Sequence, residues 1–244
     1  MIQVKDLHKS FNGQAVLKGI NLHVRKGRTR VILGLSGSGK SVLMKHLIGL
    51  LTPDRGEIWM NGEDVSKIDE SQKQALRNKF GMVFQNAALF DSMSVFENVA
   101  FPLREHTSLS ETEIKKRVDE KLELVDLAGT QHKFPSELSG GMRKRVGLAR
   151  AVILEPECVL YDEPTTGLDP IMTENVDRMI KGAAERLKVT SVVISHDIGS
   201  ALNIADDIAV IHRGEIVEDC LPEDIRKSQH PFVKKFLGTW FGKQ

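Results

Sequence analysis

The sequence predicts an α/β domain with a helical lobe set into it, and three observations carry that prediction. A glycine loop, "G-L-S-G-S-G-K-S" at 34–41, stands between the apolar run "R-V-I-L" and the helical pattern "S-V-L-M-K-H-L-I-G-L-L". Two short unbroken apolar runs, "C-V-L-Y-D" (158–162) and "T-S-V-V-I-S" (190–195), suit buried parallel strands, and each is followed by helical periodicity. Residues 86 to about 152 contain no convincing strand and read as mainly helical.

Taken in order, the first thirty residues read as β. Ile2 and Val4 alternate, Asn12-Gly13 is a hairpin turn, and Ile20, Leu22 and Val24 alternate again. After the glycine loop and its helix, "G-E-I-W-M-N-G" is a short strand with a turn. In the helical tract, Ser110 with Glu113 forms a capping box, and Ile114, Val118, Leu122 and Val125 fall on one face. "D-I-A-V-I-H-R-G-E-I-V-E" closes the pattern as a hairpin around Arg213-Gly214.

The 244 residues suffice for one large domain, or a domain with a subdomain, and for a sizeable core. Hydrophobic content of 41% and charged content of 27% are ordinary for a globular protein. The net charge of +1 argues against a nucleic-acid coat or an acidic substrate. Cys158 and Cys220 make neither a disulfide framework nor a metal spacing. The start "M-I-Q-V-K-D-L-H-K-S-F" lacks the basic and apolar regions of a secretory signal. No apolar run approaches the ~20 residues of a membrane span, so any work at a membrane is expected to go through a partner.

Gly34, Gly39, Lys40 and Ser41 satisfy G-x-x-x-x-G-K-[ST], with a strand before and a helix after. Backbone N–H groups of Gly34, Leu35, Ser36, Gly37, Ser38, Gly39 and on to Val42 can wrap nucleotide phosphates. Lys40 reaches the β and γ phosphates, and the Ser41 hydroxyl can ligate Mg²⁺. Asp162 and Glu163 end the apolar run "C-V-L-Y". By itself such an acid pair is better read as a solvated strand end. Beside a phosphate loop, Asp162 would hold Mg²⁺ and Glu163 would orient or deprotonate the attacking water.

With those residues placed, the chain resembles the ATPase subunit of ATP-binding-cassette (ABC) transporters over about residues 1 to 225. Gln85 in "M-V-F-Q-N" matches the Q-loop, "L-S-G-G-M" at 138–142 the signature motif, "T-G-L-D" at 166–169 the D-loop, and His196 in "V-I-S-H-D" the switch histidine. Phe11 matches the aromatic position that stacks on adenine. The resemblance implies a P-loop NTPase fold with a RecA-like core, an antiparallel β subdomain and an inserted α-helical subdomain at about 86–152. It implies ATP and Mg²⁺ as cofactors, with Gln85 as a relay at the metal and His196 at the γ-phosphate. It also implies a second copy of the chain as partner: Ser139, Gly140 and Gly141 of each copy would meet the ATP on the other's phosphate loop, and Asp169 of the D-loop would belong to the nucleotide-binding residues. Read without the resemblance, Gln85 is a polar strand end, His196 a neighbour of a helix N-cap, and Asp169 a cap before Pro170.

The signature ends in Met142, where Gln or a similar polar residue is usual. Met142 cannot return the hydrogen bond of an S-x-x-[EQ] capping box, and packing under the loop is the plainer role for it. "L-S-G-G-M-R-K-R", with the segment after Gln85, is similar to the Mla-type ATPases. That likeness implies phospholipid transport between inner and outer membranes, with an integral permease, an MCE-domain lipid-binding protein and a place on the cytoplasmic face of the bacterial inner membrane. A small-solute ABC transporter, or a soluble non-transport ABC ATPase, is the alternative. Among Ala87, Ala88, Leu89, Phe90, Met93, Phe96 and Phe101 most are expected in the core, with Leu89 and Phe90 as candidates for a permease groove. Residues 226–244 read as an amphipathic extension: Phe232-Val233, Phe236-Leu237 and Trp240-Phe241 recur four apart, with Lys234, Lys235 and Lys243 between or beyond. Docking on its own domain, on a partner ATPase or on a membrane surface all fit that pattern.

Overall fold

The computed structural model describes residues 1–241. Lys243 lies outside the described residues. Strands β1 (Ile2–Phe11) and β2 (Gln14–Val24) form a hairpin through Asn12 and Gly13. Both turn residues have positive φ, 49° and 78°, as a two-residue hairpin demands. β3 (Thr29–Leu33) enters the glycine loop, and α1 (Lys40–Leu47) leaves it. β4 (Arg55–Met60) and the two-residue β5 (Glu63–Asp64) complete an antiparallel sheet of order β2-β1-β4-β5.

Helix α2 (Glu70–Arg77) and strand β6 (Phe80–Val83) follow, two elements that the sequence pattern did not reveal. Four residues with a central glycine are too short a run to show alternation. α3 (Val95–His106), α4 (Glu111–Leu124) and α5 (Gly140–Val152) then occupy the helical tract. Ser110 and Glu113 form a complete capping box, and Ile114, Val118 and Leu122 are buried along one face of α4. The remainder runs β7 (Cys158–Asp162), α6 (Pro170–Leu187), β8 (Thr190–Ser195), α7 (Ile198–Ile204), β9 (Asp207–His212), β10 (Glu215–Cys220) and α8 (Pro231–Phe241).

The central sheet has the order β10-β9-β3-β8-β7-β6. Its strands pair in parallel except for β10, the second arm of the closing hairpin. The strict period of two sends alternate residues to opposite faces. Val31, Val159, Tyr161 and Val193 join the core that includes α3–α8, whereas Ile32, Leu160, Val192 and Ile194 join the core shared with the β1–β2 sheet. Register aligns the strand ends: Leu33 sits beside Ser195, Asp162 beside Ile194, and Val83 beside Tyr161. Whatever follows those residues must emerge at one edge, which is where ligands bind in open α/β sheets.

The last helix packs on its own domain. Val233, Phe236 and Leu237 are buried in the larger core. The Phe232 ring stacks on His212 with centroids 3.7 Å apart. Trp240 lies so close over Gly199 that a β-carbon there would stand 3.2 Å from the indole. Among the described residues no helix is long and apolar enough to cross a membrane.

Candidate functional site

A cleft of about 480 Å³ opens at the aligned strand ends and is lined by Ser36 through Val42, Gln85, Asp162, Glu163, Thr166 and His196, with Val16 from β2. The parallel register brings four separate stretches of sequence into it. Gly37 and Gly39 take φ of 75° and 107°, a conformation that L side chains rarely adopt. A β-carbon at Gly34 would lie 2.5 Å from the Ile211 carbonyl oxygen, so the loop can thread past β9 only as glycine.

Lys40 is 5% exposed. Its Nζ donates to the carbonyls of Gly34 (2.8 Å) and Leu35 (3.1 Å) and lies 3.2 Å from Glu163 Oε1. The other oxygen of Glu163 accepts from His196 Nδ1 at 2.6 Å and from Thr166 Oγ1 at 3.0 Å. Burial pushes the Glu163 carboxyl upward, but the His196 hydrogen bond and the Lys40 charge outweigh it and hold the group below its ordinary value. Glu163 also carries a positive φ of 50°, strain that places the side chain back over the cleft. Asp162 is shifted the other way, raised by burial and then by the Glu163 charge beside it.

The donors suit a hard cation. Ser41, Asp162 and Gln85 offer a hydroxyl, a carboxylate and an amide oxygen at one cleft. The raised Asp162 marks negative charge that a cation would relieve. Among the described residues no group of three or more His, Cys, Asp or Glu forms a closed metal cage. Mg²⁺ fits such a site, because it is commonly held by one or two protein groups with substrate phosphates and water completing its shell. The buried Ser38 Oγ lacks a hydrogen-bond partner, as a group awaiting an acceptor oxygen would.

Other sequence candidates lie elsewhere. Phe11 ends β1, 41% exposed, outside the cleft lining with Lys9 Nζ 5.6 Å from its ring centre. Ser139 caps α5 by accepting from Met142 N at 3.2 Å, and Gly140 and Gly141 form the first helical turn. Ser139 and Gly141 border a separate cavity of about 290 Å³ with Met142, Met172 and Met179. The Met172 methyl fills the place of a side chain on Gly141, 2.8 Å from where its β-carbon would be. Asp169 is the N-cap of α6, accepting from Met172 N at 2.9 Å. Within one protomer the Ser139–Gly141 turn therefore does not line the phosphate-loop cleft. Met142 is half-buried against the core, the plainer of the two roles considered for it.

After Gln85, Leu89 packs into the core, while Phe90 lines an open groove with Phe84, Ala88, Phe101 and Pro102. Sequence reasoning placed Thr166 in the D-loop match without its hydrogen bond to Glu163, and it missed Asn98. The fully buried Asn98 amide bonds to the Phe90 backbone in both directions and to the carbonyls of Met93 and Ser94, so it fixes the segment after Gln85. An asparagine inside a helical apolar pattern was the available signal.

A family model described as "ABC transporter" matches residues 17–166. The chain is 42% identical over 97% of its length to the "Probable ribonucleotide transport ATP-binding protein mkl" of Mycobacterium leprae, covering 68% of that protein. It is 41% identical, again over 97%, to the "Intermembrane phospholipid transport system ATP-binding protein MlaF" of Haemophilus influenzae, covering 90% of it. Among solved structures, a dimeric ATP-binding cassette in a post-hydrolysis state with ADP and Pi superposes with a TM-score of 0.80 at 30% identity, over 91% of this chain and 99% of that one. The family match and the identity running along nearly the whole chain place this protein in the ABC transporter family, as an ATP-hydrolysing subunit.

Proposed function

We propose that this protein is the motor subunit of an ABC transporter that moves phospholipid between the inner and outer membranes, dimerising around two ATP. The observation that carries the ATP chemistry is the convergence of Lys40, Asp162, Glu163, His196 and Gln85 on one cleft. In this reading the loop from Gly34 to Val42 wraps the phosphates, Lys40 leaves Glu163 for them, and Phe11 stacks on the base. Ser41 and Asp162, with Gln85, would hold Mg²⁺, which would supply charge neutralisation to the phosphates. Glu163, released from Lys40, accepts a proton from the attacking water, and His196 donates to the γ-phosphate. Ser139, Gly140, Gly141 and Asp169 meet the nucleotide of the second copy. ATP then stabilises the closed dimer, hydrolysis removes it, and the difference in affinity between closed and open forms does the work.

The lipid assignment rests on the likeness to MlaF, which spans most of both chains. It carries with it an integral permease, an MCE-domain lipid-binding partner and a peripheral position on the cytoplasmic face of the inner membrane. Residues 1–225 act as the cassette, with 86–152 as its helical subdomain and 226–244 as an extension. The likeness to mkl supports the alternative of a solute other than lipid. Tagging this subunit and purifying its complex from detergent-solubilised native membranes separates the two. A permease with an MCE-domain protein and bound phospholipid is the expected result. A permease with a soluble solute-binding protein would keep the ATP chemistry and overturn the lipid claim.

A further inference from the structure

Helix α5 begins with the signature turn and then runs behind the protomer's own cleft, where two cations anchor it. Lys144, 8% exposed, donates from Nζ to the Pro164 carbonyl, one residue beyond Glu163. Arg150 donates from Nη2 to the Ala87 carbonyl at 2.7 Å, two residues beyond Gln85, with the Phe90 ring centre 5.8 Å from its Cζ. Between them Gly147 lets the helix backbone press on the same loop: a β-carbon there would lie 3.2 Å from that of Ala87. Ala87 and Ala88 hold positive φ of 59° and 48°, so the loop keeps a shape it would not keep unaided. Among the described residues neither cation has a carboxylate within 4.0 Å, and burial lowers the proton affinity of both.

A buried cation that faces only one carbonyl is a poor stabiliser, and an apolar side chain of like size would suit such a place better. Stability therefore does not explain Lys144. Geometry does: one rigid helix joins the Ser139–Gly141 turn to the loops carrying Glu163 and Gln85.

We propose that Lys144 and Arg150 are positioning residues. They tie the loops of a protomer's own cleft to the helix whose first turn meets the nucleotide of the second copy, so that the two sites are set together. The proposal rests on the dimer reading given above.

The test uses the purified full chain, with Glu163→Gln as control and with Lys144→Met and Lys144→Gln. Gln keeps a donor for the Pro164 carbonyl; Met keeps the size and removes charge and donor. Lys144→Met is expected to melt no lower than wild type. Its kcat should fall roughly ten-fold, with KM for ATP within about two-fold, because the reacting groups are misplaced while the phosphate loop is intact. The Hill coefficient should drop toward one, and Lys144→Gln should recover most of the loss. A Lys144→Met protein with wild-type kcat and Hill coefficient overturns the proposal. A parallel fall of melting temperature and kcat that Gln does not repair overturns it too. If turnover does not need Glu163, the site reading falls and takes the proposal with it; if turnover needs Glu163 but not Lys144, only the proposal falls.

Discussion

Met142→Gln tests whether the unusual end of the signature motif matters. Helices α2, α3 and α4 each start with a complete capping box, built by Asp69 with Gln72, Ser94 with Glu97 and Ser110 with Glu113. α5 has half of one, since Ser139 accepts from Met142 N and nothing is returned to Ser139 N. A glutamine at 142 can supply the missing bond, worth about 0.5–1 kcal/mol at an exposed helix start. Against that, the change withdraws an apolar tip that is half-buried beside Met172 and Met179. At about 0.8 kcal/mol per buried methylene, and with only part of the side chain covered, that loss is about 1 kcal/mol. The two effects nearly cancel. For a chain of this length each kcal/mol moves the melting temperature by about 2–4 °C, so a shift within about 4 °C is expected. Phosphate release should stay within a few-fold, because Ser139, Gly140 and Gly141 are untouched. Thermal melting and a phosphate-release assay on the same preparation read both quantities. A melting-temperature shift well beyond about 4 °C would refute the cancellation, and a fall in turnover of more than about ten-fold with the melting temperature held would refute the spectator reading and give Met142 a specific role.

Three further outcomes follow from the same geometry. Glu163→Gln should lower phosphate release by about 10²–10⁴-fold and let ATP-bound dimers persist on size exclusion. The Glu163 carboxyl is held below its ordinary 4.5, so its contribution to stability is present above pH 4.5 and is lost as pH falls through the lower folded value. The melting-temperature gap between wild type and Glu163→Gln should close over that acid range; a gap independent of pH there would count against the Lys40–Glu163–His196 arrangement. Asp162→Asn should raise the melting temperature of the nucleotide-free protein at pH 7, since burial and Glu163 disfavour the charged form, while lowering Mg²⁺-dependent turnover. The gain should vanish below pH 3.8, where both forms are neutral; a drop in melting temperature at pH 7 would contradict it. Gly199→Leu should force Trp240 off α7, shift its fluorescence to the red and expose residues beyond 230 to trypsin, whereas an unchanged digest would show that α8 is held by other contacts.

Much of this fold is legible from neighbouring residues. The phosphate loop declares itself because only glycines permit its backbone, and the Asn12-Gly13 and Arg213-Gly214 turns declare their hairpins for the same reason. Val159 through Tyr161 and Val192 through Ile194 are buried on both faces, so they read as unbroken apolar runs. β6 escaped notice because four residues with a glycine carry too little pattern. The tail's apolar pairs showed an amphipathic helix but not its partner, because period alone does not say which surface is complementary; His212 and Gly199 supply it.

Chemistry written into consecutive residues was therefore determined by the sequence itself: a phosphate-binding turn, an acid pair at a strand end, a serine cap followed by two glycines. Tertiary structure alone decided the rest. It joined Lys40, Glu163 and His196 in one chain of contacts, gave Met142 its place beside Met172, and set Lys144 and Arg150 behind the cleft. These are distances between segments far apart in the chain. They follow from strand register and helix packing, which no local pattern of residues encodes.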